Sequence, residues 1–222
     1  MISKTILKKV GEFDNPERIG YDFLDGSIRD IKYVELNIPK KEEHKWQKPE
    51  FFADKYPKYK NFEGYLHLDE YNNLWGKMWH DTTGGGEVLE GGLESWDDLS
   101  SYKLPNIDDE TRFKDAHLSV EPYKERFILG PLPGCTFAIM RNIRKMEVFL
   151  EDLILEEGNV LKLQDMVINK LVNMVDLYGS MKCVDGIFFC EDWGTQDRLL
   201  VSPALWNKIF KPAYVKLCKA AH

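Results

Sequence analysis

Two adjacent acids, Glu191 and Asp192, stand directly after the apolar run Ile187, Phe188, Phe189, Cys190 and before Trp193, Gly194, Thr195 and Gln196. A carboxylate can take or give a proton, or hold a ligand, once something rigid presents it to a pocket. Amphipathic helical sequence lies on both sides of the apolar run, so the run reads as a parallel strand buried on both faces. Its acids then sit at the strand's carboxyl end, where open α/β sheets and (β/α) barrels bind their ligands. The same two residues would also serve to end a strand and cap a turn, so position alone weights function and structure evenly.

The elements that must position these acids can be read outward from them. After Gly158, the residues Val160, Leu163, Val167, Leu171, Met174, Tyr178 and Met181 recur every three or four positions, the stripe of a helix of about six turns. A shorter helix is expected over Glu147 to Glu156. Before both, Arg126 to Gly130 reads as another buried strand, and Pro131, Leu132, Pro133 and Gly134 as the loop leaving its carboxyl end on the face of Glu191. After the acids, Ser202 and Pro203 signal a helix start, Leu205, Ile209, Val215 and Leu217 are expected to face the core, and Pro212 must kink or reset the helix. Strand, helix, strand, helix in that order predicts a parallel sheet.

The remainder is less regular. Pro16, Pro39, Pro49 and Pro57 cut residues 1–61 into short pieces, with one short strand expected at Arg18 to Phe23 and the remainder, including Lys40 to Glu43 in the charged and aromatic run Lys40 to Lys60, expected to be a solvated arm or a cover over another part of the molecule. From Gly64 to Leu93, aromatics and acids alternate around Asn72, Asn73 and the run Gly84 to Gly86, which predicts short strands and tight turns. The glycine run lacks the spacing of a phosphate-binding loop, and His67 and His80 lack a partner at metal-ligand spacing. Ser95 is the expected cap of a single turn at Trp96 to Leu99, and Asp108 to Glu125 is expected to be a surface helix.

A net charge of −7 with scattered Lys and Arg provides no footprint for nucleic acid or an anionic membrane. No apolar run approaches the ~20 residues of a membrane span, and the first residues lack the pattern of a signal peptide, so a cytoplasmic location is expected. The four cysteines form no CxxC pair and are expected to be reduced core thiols.

The run from Glu191 to His222, with its acidic strand end, Trp-Gly-Thr-Gln, Ser-Pro, Lys-Pro and Ala-Ala-His, resembles the uroporphyrinogen decarboxylase superfamily. Asn15 to Arg18, Asp69 to Trp75, Trp96 to Leu99 with Tyr102 and Pro105, and Gly130 to Gly134 agree with it. The resemblance implies a TIM-type (β/α) barrel with its site at the carboxyl ends of the strands. Such a barrel takes about 250 residues, and the first clear unit here starts only at Arg126. One truncated domain is therefore expected: an irregular region with early strands over 1–125, then βα units over 126–222.

Two reactions dominate the superfamily. Decarboxylases act without a cofactor on uroporphyrinogen and carry an Arg-Gln-Ala-Gly-Arg-Tyr motif; Ile19 to Phe23 stands in its place here. Methyltransferases exchange a methyl group with a corrinoid protein, and hold zinc through a His-x-Cys pair and a later Cys, which would fall after His222. The methyltransferase branch is the expected one, with a small methylated or thiol substrate; decarboxylation and an inactive fragment are the alternatives. The resemblance implies Glu191 as an additional zinc ligand or orienting acid, or as the acid that stabilises a protonated pyrrole. Asp192 is the second catalytic candidate. Trp193, Thr195, Gln196, Pro133 and Arg141 are the expected substrate contacts, and Arg141, Arg144 and Arg198 the cations nearest the site. The 222 residues alone are expected neither to hold stoichiometric zinc nor to decarboxylate uroporphyrinogen.

Overall fold

The computed structural model describes residues 2–23, 28–81 and 84–222. In chain order its principal elements are α1 (Ser3–Gly11), β1 (Ile31–Tyr33), β2 (Gly64–Leu68), β3 (Leu74–Met78), β4 (Glu87–Glu90), α2 (Glu110–Phe113), β5 (Phe127–Pro131), α3 (Thr136–Ile143), α4 (Met146–Leu155), α5 (Glu157–Gly179), β6 (Gly186–Phe188), α6 (Pro203–Ile209) and α7 (Lys211–Ala221). They fall into two compact units: Met1–Ile38, Asn106–Cys135 and Ile168–His222 form the first, Pro39–Pro105 and Thr136–Val167 the second.

The first unit is built on a parallel sheet in the order β1-β5-β6. Ile31 pairs with Phe127 and Tyr33 with Leu129 on one side, and Leu129 with Gly186 and Pro131 with Phe188 on the other. Asp185 locks the start of β6 to β5: its N–H donates to the Ile128 carbonyl at 2.8 Å, and its Oδ2 accepts the Ile128 N–H at 2.9 Å. Gly130 lets α5 lie close, because a Cβ there would meet the Tyr178 ring at 2.6 Å. The Tyr178 hydroxyl donates to the Pro131 carbonyl at 2.9 Å, so the buried phenol stays hydrogen-bonded. The stripe from Val160 to Tyr178 is buried throughout.

This arrangement is α/β with a parallel sheet, as the strand and helix order predicts. The described residues form no closed barrel, and β1 and β6 are the outer strands of the sheet. Arg18 to Phe23 is not a regular strand: Asp22 bridges Arg29, and the strand is the later β1. The reason lies in Asp30, a buried acid gripped by both ends of the Arg18 guanidinium at 2.6 and 2.8 Å and by the Tyr21 N–H at 2.8 Å. That grip, first of all the Arg18 hydrogen bond, holds the Asp30 carboxyl well below the usual carboxylate range. The expected surface helix over 108–125 is also broken, into α2 and two 3₁₀ turns, Ala116–Ser119 and Glu121–Tyr123. Asp115 takes a left-handed conformation with φ 61°, and Pro122 cannot supply a helical N–H.

The second unit contains an antiparallel sheet in the order β2-β3-β4. Leu66 and Leu68 of β2 point inward with Leu74 and Phe52, while the alternate positions Tyr65 and His67 are only half-buried. The β2–β3 turn has Asn72 at φ 62°, and Asp69 organises it by accepting from the N–H groups of Tyr71 and Asn73 and from Trp75 Nε1 at 2.7 Å. Residues 40–60 are a cover: Gln47 and Leu66 exchange backbone hydrogen bonds at 2.8 Å, and Phe52 enters the core. Helices α3, α4 and the first turns of α5 complete this unit.

His67 gives the antiparallel sheet a pH dependence. Its ring packs edge-on against Trp46 at 4.3 Å and stacks near Trp75 at 5.9 Å. Burial pushes its pKa down, with His44 adding slightly and Asp69 opposing. The unfolded chain therefore binds the proton more readily, so the stability that neutral His67 contributes is complete above about pH 6.5 and is lost as pH falls through its lower folded-state value. We expect the urea midpoint to fall more steeply between about pH 7 and pH 5 than that of His67→Phe. Equal slopes for the two proteins would show that His67 does not carry the effect.

Candidate active site

The carboxyl ends of β5 and β6 meet in the first unit. The Leu132 N–H donates to the Phe188 carbonyl at 2.8 Å, which carries the parallel pairing into the loop Pro131 to Gly134. Gly134 adopts φ 142°, and the buried Cys135 follows it. From β6 the chain runs through Phe189 and Cys190 to Glu191, which is half-buried with Oε2 shielded from solvent.

Tyr214 of α7 joins these two strand ends. Its phenol is pushed well above the usual tyrosine range, first by burial and then by the charge of Glu191, with a smaller contribution from Cys135. It remains protonated and hydrogen-bonds with Glu191. Trp193 Nε1 donates in turn to the Tyr214 hydroxyl oxygen at 3.1 Å. An aromatic wall backs the pair: Trp193 packs edge-to-face on Phe210 at 4.8 Å, Trp206 lies 5.5 Å from Tyr214, and Phe189 lies 5.9 Å from it. Low surrounding polarity strengthens each hydrogen bond to the carboxylate.

The wall follows from the helix reset at Pro212. Helix α6 ends at Ile209, α7 begins at Lys211, and Trp206, Phe210 and Tyr214 share one face at four-residue spacing. The predicted core face is thereby corrected: Ile209 and Leu217 are buried, but Val215 is 43% exposed. The spacing of 206, 210 and 214 was the signal that could have identified this face.

The remaining candidate residues differ in placement. Asp192 is exposed beside Glu191, and Pro133 is exposed on the loop after β5. Thr195 closes a tight turn: its Oγ1 accepts from the N–H groups of Asp197 and Arg198 at 3.3 and 3.2 Å, and its N–H donates to the Arg198 carbonyl at 2.8 Å. Its hydroxyl is thus engaged in shaping the loop that presents Trp193, with Gln196 and Arg198 exposed at the tip. Arg141 belongs to α3 of the second unit, with its guanidinium 5.5 Å from the Phe137 ring centroid.

Arg144, also of the second unit, is a structural cation. It is buried, donates through Nε to Asp152 at 2.8 Å and through Nη1 to the Leu93 and Glu94 carbonyls, and lies over Trp96 at 4.2 Å.

Glu191 and Cys135 are the metal-ligand types gathered around Tyr214, short of the four donors of a structural zinc site. Among the described residues, no three His, Cys, Asp or Glu side chains group as a metal site.

Comparison with protein-family models, curated proteins and solved structures finds no match to this chain.

Proposed function

We propose that this chain belongs to the (β/α)-barrel enzymes of the uroporphyrinogen decarboxylase superfamily, and that Glu191 serves methyl transfer between a corrinoid protein and a small thiol. The observation that carries the reading is a carboxylate at the carboxyl end of a parallel strand, hydrogen-bonded by Tyr214 inside an aromatic wall. In this reading the thiol S–H gives its proton to Glu191, and the thiolate attacks the methyl carbon. The S–C bond forms as the C–Co bond breaks, with the electron pair remaining on cobalt. Tyr214 steadies the carboxylate, and the aromatic wall of Trp193, Phe210 and Trp206 lowers the polarity around the pair.

Decarboxylation is the weaker reading because a substrate bearing many carboxylates needs several free cations, and Arg144 is committed to Asp152. The barrel reading is supported by the parallel order β1-β5-β6 with helices between the strands. A reducing, cytoplasmic setting fits four unbridged cysteines, although they are not the four core thiols expected: Cys135 is buried, Cys183 half-buried, and Cys190 and Cys218 are exposed. No described helix is long and apolar enough to cross a membrane.

The protein as its gene encodes it should be incubated with [13C-methyl]cobalamin and a panel of small thiols. A labelled thioether is the expected product. Coproporphyrinogen formed from uroporphyrinogen under anaerobic conditions, with no thioether, would replace this reading with decarboxylation.

A further inference from the structure

The first unit has a concavity at the amino ends of β5 and β6, the ends opposite Glu191. It measures about 330 Å³ and is lined by Lys4, His117, Glu121, Lys124, Lys182 and Cys183, with Val120 and Ile128 at its apolar floor. The three lysines are distant in sequence, so only the fold brings them together in a chain whose net charge is −7. They face the single lining carboxylate of Glu121. Lys4 is already tied to Asp185 at 2.6 Å, and Asp185 is anchored on Ile128. Among the described residues, Lys124, Lys182 and His117 have no carboxylate within ion-pair distance.

We propose that this pocket binds the phosphoryl group of a small anion. Unpaired lysines around a concavity raise the local concentration of anions, and ammonium groups recognise phosphoryl oxygens as point charges. The lining has no arginine fork to favour a planar carboxylate. The net negative charge of the chain disfavours an extended polyanion such as nucleic acid, which would have to run beyond the pocket. The proposal does not depend on the reaction assigned to Glu191.

Inorganic diphosphate titrated into the full chain in a calorimeter should show one saturable site. The double variant Lys124→Ala with Lys182→Ala, both exposed positions, should bind at least about tenfold more weakly, and Glu121→Gln should bind more tightly. Bound diphosphate should also slow maleimide labelling of Cys183, read by peptide mass spectrometry, while the exposed Cys190 and Cys218 label at an unchanged rate. A nucleoside diphosphate titrated in parallel distinguishes an organic from an inorganic source: whichever binds more tightly identifies it, and both orders support a phosphoryl site. Absence of saturable binding, equal affinity in the double variant, equal affinity for citrate, or unprotected Cys183 would overturn the proposal.

Discussion

Replacing Glu191 with glutamine should lower thiol methylation by at least about 100-fold, the lower end of what a positioned proton-transfer group contributes. Glutamine keeps the shape and can still meet Tyr214, but it cannot take a proton. Tyr214→Phe should cost less, about tenfold, because it removes one hydrogen bond to a charged group worth roughly 1.5 kcal/mol and leaves the carboxylate in place. The two variants also separate catalysis from architecture. Glu191 is tied to Tyr214, and Tyr214 to Trp193, so a purely structural Glu191 would show its loss as a lowered urea midpoint. Initial rates should therefore be measured beside urea titrations. A Glu191→Gln protein as active as the unaltered one would remove Glu191 from the chemistry.

The largest stability effect is expected in the second unit, at Asp152. Both its oxygens are used, Oδ2 by Arg144 Nε at 2.8 Å and Oδ1 by Trp96 Nε1 at 3.0 Å, and both members of the ion pair are buried. Asp152→Ala leaves a buried guanidinium without its counter-charge, a change that typically costs about 3–5 kcal/mol. Asp152→Asn should cost less, since an amide oxygen still accepts from Arg144. Replacing both residues with apolar ones of similar size should recover part of the loss, because neither charge then has to be taken from water. Urea unfolding of the three variants measures the order, and Asp152→Ala within about 0.5 kcal/mol of the unaltered protein would contradict it.

Elements whose signals are local were legible in the sequence. Ser202 caps α6, accepting from the Leu205 N–H at 3.2 Å with Pro203 in the first turn; Asn72 takes the left-handed turn position; β5, β6 and α5 lie where their apolar patterns place them, but β6 is not buried on both faces as expected, being an outer strand with Gly186 and Ile187 half-buried and Phe188 exposed. Helix α3 was hidden because it is short and its apolar residues Phe137, Ile139, Met140 and Ile143 are buried with Thr136, leaving little polar face to mark a period. Strand β1 has only three residues and none is fully buried, so its pairing with β5 is a tertiary fact. Helix α1 carries one buried residue, Ile6, among lysines that read as solvated loop.

The site was legible in the same uneven way. Glu191 stands out because an apolar strand ends at it, but its partner Tyr214 comes from another segment and no spacing connects the two. Thr195 and Arg144 have functional-looking identities, yet one closes a turn and the other anchors α4 to the Leu93–Glu94 backbone. Their roles depend on what surrounds them in space.

The most direct test of the account is a crystal structure of the protein with the thiol that the labelling experiment selects. The sulfur is expected within hydrogen-bonding reach of the Glu191 carboxylate, at the carboxyl ends of β5 and β6 and against the Trp193 and Tyr214 rings. A thiol bound elsewhere, with its sulfur out of reach of the Glu191 carboxylate, would contradict it.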